Sequence, residues 1–244
     1  MKQNKYDESA FFSEYEKMPR SVHGLAAARE WHVFKALLPE LEGKRVLDLG
    51  CGFGWHCRYA REQQASSVTG VDISENMLQR AREMTDDPAI TYINRPIEDI
   101  DFPDGQFDVA ISSLAFHYVE SFADVCRQVH RCLAAQGAFI FTVEHPIFTS
   151  RNDQDWHVDG QGRRLHWPVD RYRDEGMRET SFLTDHVIKY HRTFSTYIND
   201  LIQAGFSLKV VKEPGPSEDM LRTIPDMQDE NRRPMFLLIS AQKL

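Results

Sequence analysis

Brief apolar runs and amphipathic stretches take turns along most of this chain. Residues 45–49, 67–72, 90–93, 107–112, 138–143, 207–212 and 235–241 are short runs rich in valine, isoleucine, leucine or aromatic residues, the pattern of strands in a covered sheet. Residues 25–38, 55–64, 74–84, 122–133 and 193–204 instead repeat apolar positions at three- and four-residue spacing, which predicts helices. Ser74 reads as an N-cap with Glu75 in the first turn, while Gly137 and Gly205 read as helix stops that lead straight into strands. Strand and helix in regular succession predict parallel strands joined by crossover helices, an α/β fold.

One stretch breaks the rhythm. Residues 144–190 show no clean alternation, yet carry Phe148, Trp156, Trp167, Tyr172 and Phe182 among many charges. Disordered segments are poor in aromatics, so this stretch predicts an ordered insertion on the substrate side of the sheet. The expected layout is a single domain, with an N-terminal lid at 1–24, a cofactor-binding core at 25–143, the insertion at 144–190, and a helix and two last strands at 191–244.

Composition narrows the function. The 244 residues hold 29 Lys and Arg against 37 Asp and Glu, a net charge of −8, and no basic stripe interleaved with aromatics. That balance argues against a dedicated nucleic-acid binder. The opening MKQNKYDESAFF lacks a charged start followed by an apolar stretch, and no run approaches the ~20 apolar residues that span a bilayer, so a cytoplasmic protein without membrane contact is expected. Cys51, Cys57, Cys126 and Cys132 form no CxxC pair and read as reduced, buried thiols. The ten histidines show no metal-binding spacing, so no metal is expected.

The chemistry concentrates where the first strand, Val46-Leu47-Asp48-Leu49, runs into Gly50-Cys51-Gly52-Phe53-Gly54. Glycines there permit positive φ and close approach of backbone to a ligand above the carboxyl ends of the strands. The spacing is GxGxG, and Trp55 stands where a dinucleotide fold would place its third glycine. Asp48, two residues ahead of the turn, suits a cationic ligand better than a diphosphate. Asp72 closes the second strand 18 residues after Gly54, where an acid accepts hydrogen bonds from ribose hydroxyls. Together these predict a nucleoside ligand that carries positive charge.

In order along the chain, VLDLGCGFG, VTGVDIS, PIEDIDFPDGQFDVAISSLAFHYV and LAAQGAFIFTVEHP resemble the class I S-adenosylmethionine-dependent methyltransferases over roughly residues 45–143. The whole chain is most similar to bacterial small-molecule methyltransferases of the methyltransferase type 11 kind. The resemblance implies a Rossmann-like, seven-stranded, mostly parallel sheet with its last strand reversed and S-adenosylmethionine as cofactor, leaving S-adenosylhomocysteine as product. It also implies that Gly50, Cys51 and Gly52, with Asp48 nearby, carry the methionine and ribose part, that Asp72 holds the ribose, and that Ile73 packs on the adenine. Pro96 stands where the family often has an acid for the adenine amine, which moves that contact to Ile97 and Glu98. Ser112 would line the methionine end, and the aromatic N-terminal segment would fold over the cofactor, with Tyr15 on it and Arg20 meeting the methionine carboxylate.

For the acceptor side, position nominates His117 at the mouth of the fourth strand and Glu144 and His145 at the end of the fifth, with a histidine as any general base and Glu144 orienting it. Lys189-Tyr190-His191-Arg192-Thr193 reads as a helix start whose His191 and Arg192 reach the substrate or are simply solvated. Trp156 and Trp167 either stack on a flat substrate or anchor the insertion. The lack of a [DNS]PP[YF]-like element after the fourth strand points away from a flipped nucleobase and toward a small-molecule acceptor. A cofactor-binding regulator without methyl transfer is the alternative. Neither the acceptor atom nor the oligomeric state is legible at this level.

Overall fold

The computed structural model describes residues 2–244. Seven strands form one sheet: β1 (Arg45–Leu49), β2 (Ser67–Asp72), β3 (Ile90–Asn94), β4 (Phe107–Ser113) and β5 (Leu133–Glu144), then, after two hairpins, β10 (Phe206–Lys212) and β11 (Phe236–Lys243). The hairpins are β6 (His157–Val158) with β7 (Arg164–His166), and β8 (Gly176–Phe182) with β9 (Thr184–His191). The sheet order is β10-β11-β5-β4-β1-β2-β3, all parallel except β11, which runs antiparallel to both neighbours. The expected seven-stranded Rossmann-like sheet with a reversed last strand is what the chain builds.

Alternation along the strands fills a core on each face. Leu47, Leu49, Phe139, Phe141, Leu237 and Ile239 point to one side. There they meet α6 (Phe122–Cys132) and α8 (Phe194–Gln203). Val46, Ile140 and Leu238 point to the other. On that side lie α3 (Trp31–Leu37), α4 (Trp55–Glu62) and α5 (Glu75–Glu83). This pleat is the ordinary consequence of a period of two. The chain leaves β1 toward β2 and β3 on one side and β4 toward β5 on the other, so a crevice opens above the carboxyl ends of β1 and β4.

Several elements differ from the sequence reading. The helix expected over 25–38 is a tight turn at Gly24–Ala27 followed by α3, because Ala28 is extended between them. Gly137 lies inside β5, which starts at Leu133 directly after α6, and stops no helix. Residues 184–191 pair as a strand, so Lys189, Tyr190 and His191 precede α8 and do not open it; Thr193 is the N-cap, accepting from the Thr196 N–H at 3.2 Å. Ser74 caps α5 through the Met77 N–H at 3.1 Å, as expected. All four cysteines are free and buried.

The N-terminal segment, with α1 (Ser9–Glu16) and α2 (Pro19–His23), lies over the crevice. Asp7 takes the Ser74 hydroxyl at 2.5 Å and the Asn76 N–H at 3.1 Å, fixing the segment to the start of α5. Gln3 fixes it to β9: its Nε2 donates to the His186 carbonyl at 2.8 Å and its Oε1 accepts the Ile188 N–H at 2.7 Å. No helix among the described residues is long and apolar enough to cross a membrane.

Candidate active site

A cavity of about 1300 Å³ fills the crevice. Its floor is the turn after β1. Gly50 has φ +75° and Gly52 φ +51°, both left-handed. A Cβ on Gly50 would run into Ala115 Cβ, whereas one on Gly52 would meet nothing within 4 Å. The loop therefore supplies shape more than donors. The Gly50 and Cys51 N–H groups already bond the Val71 carbonyl at 2.8 and 3.0 Å, and the Gly52 N–H bonds Asp72 Oδ2 at 2.8 Å.

Asp72 is 8% exposed and lines the cavity. Its Oδ1 accepts the Ser74 N–H at 2.9 Å, so each oxygen has one backbone donor and spare lone pairs for a ligand. Burial pushes its carboxyl up to about 6 despite those donors. Ile73, Pro96, Ile97, Glu98 and Met77 continue the wall beside it. At the opposite side of the loop stand Tyr15, Arg20 and Glu30. Arg20 Nη2 bonds Glu30 Oε1 at 2.5 Å, and Glu30 Oε2 is buried with no partner.

The far wall comes from β4, β5 and the second hairpin. Lys189, 1% exposed, donates to Glu144 Oε1 at 2.7 Å and Gln154 Oε1 at 3.1 Å. Burial works to raise the Glu144 carboxyl, but His117 and Lys189 hold it below its ordinary value. His117 Nδ1 accepts the Glu144 N–H at 3.4 Å, which leaves the proton of the neutral ring on Nε2. Burial, with Lys189, Arg192 and Arg20 nearby, pulls its pKa down to about 4 against the pull of Glu144. The Tyr6 hydroxyl donates to the Tyr118 hydroxyl at 3.4 Å.

Among the expected site residues, the structure brings Gly50, Gly52, Asp72, Ile73, Ile97, Glu98, Tyr15, Arg20, His117 and Glu144 onto this one cavity. Others it does not. Asp48 is 1% exposed beneath the loop, where Cys57 Sγ donates to its Oδ2 at 3.2 Å, and burial pushes its carboxyl up to about 7. The Cys51 side chain is buried, packed with Cys57 against Gly70. Ser112 is fully buried with its hydroxyl on the Leu49 carbonyl at 2.7 Å; its neighbour Ser113 lines the cavity in its place.

His145 is a clamp and has no ring nitrogen to spare. Nδ1 accepts the Ile147 N–H at 3.1 Å, capping α7 (Pro146–Thr149), and Nε2 bonds Glu213 at 2.8 Å. His191 is likewise spent between Thr149 Oγ1 at 2.8 Å and the Tyr172 carbonyl at 2.9 Å. Arg192 is buried under the turn at Phe116–Tyr118, bonding the Phe116 and Glu120 carbonyls at 3.3 and 2.7 Å and that of Val119. Trp156 and Trp167 enclose Arg233, whose guanidinium lies 5.4 and 4.1 Å from their ring centres, so they anchor the insertion to the C-terminal segment.

Sequence reasoning missed Glu30, Gln154, Tyr118 and Phe182 as cavity residues and misjudged Lys189. Glu30 sits in a short turn with no local pattern, and Lys189 required recognition of β9, whose alternation of buried Val187, Lys189 and His191 puts a lysine at an interior position.

A family profile described as "Methyltransferase domain" matches residues 47–141. Among solved structures, a candidate S-adenosylmethionine-dependent methyltransferase from Listeria monocytogenes is 52% identical, with TM-score 0.86 over 91% of this chain and 99% of its own. An S-adenosylmethionine-dependent methyltransferase from Mesorhizobium loti is 46% identical, with TM-score 0.85 over 90% of this chain and 100% of its own. With the fold and the cavity, these define the chain: it belongs to the S-adenosylmethionine-dependent methyltransferases, and S-adenosylmethionine is its cofactor. A malonyl-[acyl-carrier protein] O-methyltransferase from Enterobacter lignolyticus is 35% identical over 120 residues, about half of each chain (49% and 47%).

Proposed function

We propose that this protein transfers the methyl group of S-adenosylmethionine to a small-molecule acceptor by in-line displacement, with both molecules held in the one cavity. The observation that carries this reading is the continuity of a 1300 Å³ space from Asp72 to the Glu144–Lys189 wall. Sites for a single small ligand usually enclose ~300–1,000 Å³, so this one has room for two. The acceptor class of the malonyl-carrier relative agrees with a small or acyl acceptor.

The residues present fit the cofactor. Asp72 keeps lone pairs for the two ribose hydroxyls, the open face of Gly52 admits the ribose and thioether, and Ile73 and Ile97 flank the adenine. Arg20 and Glu30 offer a cation and an unpartnered carboxylate oxygen to the amino-acid end, one for its carboxylate and one for its ammonium. When bound, S-adenosylmethionine supplies a methyl group already activated on a sulfonium. The protein's remaining work is alignment and exclusion of water. Tyr6, Tyr15 and Tyr118, within 6.0 Å of one another by ring centre through Tyr6, wall the space between the two ends, and the N-terminal segment serves as its lid.

Calorimetric titration with S-adenosylhomocysteine tests this reading. The expected result is a single site per chain whose affinity falls at least about 30-fold in Asp72→Ala, the scale of two lost charge-assisted hydrogen bonds. No heat of binding, or no effect of that substitution, overturns it.

A further inference from the structure

Resting on that reading of the cavity, the acceptor wall itself identifies what it takes. Two hydrogen-bond donors face the far end without partners of their own. The His117 ring has its Nδ1 engaged by the Glu144 N–H, which leaves Nε2–H for an occupant. The Tyr118 hydroxyl accepts from Tyr6 and so retains its own hydrogen to give.

Behind these donors lies a charge without a counterion. Arg192 is 6% exposed and bonds three backbone carbonyls of the turn that carries His117 and Tyr118, and among the described residues no carboxylate lies within ion-pair distance of it. Asp200 on α8 feels its charge from further away. Lys189 and Glu144 pair with one another, as do Arg20 and Glu30, whereas Arg192 has no carboxylate of its own, and the acidic Asp72, Glu98, Glu120 and Asp153 line the cavity elsewhere. A buried cation this poorly balanced is costly unless an anion completes the site.

The wall also lacks a base suited to remove a proton near neutrality. His117 is already protonated on the nitrogen it presents, and Glu144 is tied to Lys189 through Oε1 while its Oε2 is buried without a partner. Phe148, Met177, Phe182, Met235 and Phe236 add apolar surface to the same cavity.

We propose that the methyl acceptor is the carboxylate of a small organic acid with an apolar body, held through its oxygens by His117 and Tyr118 in the field of Arg192, and that the product is its methyl ester. A carboxylate oxygen forms the new O–CH3 bond as the C–S bond breaks, and the electron pair of that bond stays on sulfur as the neutral thioether. The acceptor's negative charge and the sulfonium's positive charge disappear together, and no proton moves. That balance explains a wall built of donors and lacking a base.

The test uses the full chain saturated with S-adenosylhomocysteine, then with methyl-tritiated S-adenosylmethionine. Hexanoate, octanoate and phenylacetate are compared with hexylamine, octanol and 2-phenylethylamine. Expected are a rise in melting temperature of about 2 °C or more with the acids only, label that alkali releases as volatile methanol, and a rate that changes less than about twofold from pH 6.5 to 9. Tyr118→Phe, which keeps the ring, is expected to raise KM for the acid about tenfold while S-adenosylhomocysteine affinity stays within about twofold. Alkali-stable label, preference for the amines or alcohols, a rate climbing about tenfold per pH unit, or an unchanged KM in Tyr118→Phe overturns the proposal. If S-adenosylhomocysteine itself fails to bind, the methyl-transfer reading falls and takes this one with it; if it binds and no acid does, only the acceptor assignment falls.

Discussion

The Gly52 N–H donates to Asp72 Oδ2 at 2.8 Å across twenty residues of sequence. This bond joins the turn after β1 to the end of β2, so the two elements proposed to hold the nucleoside are positioned by each other without a ligand. Such preorganisation lowers the ordering cost of binding.

The ionisation of Asp72 makes cofactor affinity depend on pH. In the proposed binding mode ribose hydroxyls donate to the carboxylate, and burial has raised that carboxyl to about 6. Affinity for S-adenosylhomocysteine is expected to be level above pH 7 and to weaken toward tenfold per unit below about 6, as the proton competes. Asp72→Asn should bind more weakly at all pH values and lose this dependence. Calorimetry across pH 5 to 8 checks it.

Asp48 acts on stability in the opposite sense to an ion-paired acid. Its folded carboxyl is raised to about 7 from an ordinary value of 3.8, so the folded state holds the proton more tightly than the unfolded one. Stability attributable to this group is full below about pH 4 and declines as pH rises to about 7. Asp48→Asn should therefore gain stability over the native chain at pH 8, of the order of 2–4 kcal/mol at most, and little at pH 3.5. Urea denaturation at the two pH values measures the difference.

Two glycine substitutions should separate folding from binding. Gly50→Ala combines positive φ with a collision against Ala115 and is expected to destabilise the fold by about 2–4 kcal/mol. Gly52→Ala carries only the backbone penalty of about 1–2 kcal/mol, because its Cβ meets no protein atom, yet the methyl enters the cavity and should weaken S-adenosylhomocysteine binding at least about tenfold. Thermal melts with and without the ligand distinguish the two.

Removing one member of the buried pair on the acceptor wall should cost more than removing both. Lys189→Met strands Glu144 and is expected to destabilise by about 3–5 kcal/mol, and adding Glu144→Gln should restore a good part of that. An additive double variant in urea denaturation contradicts the coupling.

His145→Ala is expected to lower stability by about 1–2 kcal/mol through loss of the Glu213 contact and the α7 cap. Its S-adenosylhomocysteine affinity should stay within about twofold, since the ring lies off the cavity. A larger loss of affinity would return His145 to the site.

What the sequence disclosed follows from how local each signal is. β1 and β2 were legible to the residue because a strand, a glycine turn and a closing acid are consecutive in the chain, and their chemistry fixes their geometry. Glu144 and His145 adjoin one another, yet only Glu144 reaches the cavity, because Pro146 turns the chain and directs the histidine to Glu213. No local pattern encodes that divergence. β8 and β9 escaped notice because their buried positions include Arg178, Lys189 and His191, polar residues with partners far away in sequence, and Thr180, which bonds across the hairpin to Val187. Arg192, read as either a substrate contact or a solvated cation, is instead buried on backbone carbonyls for the same reason.

The single amide of Gln3 grasps both the carbonyl of His186 and the N–H of Ile188. Through that grip the N-terminal segment and the second hairpin brace one another where both line the cavity, so a change that shifts one is passed to the other. The two walls are thereby coupled through a residue 183 and 185 positions away in sequence from its partners.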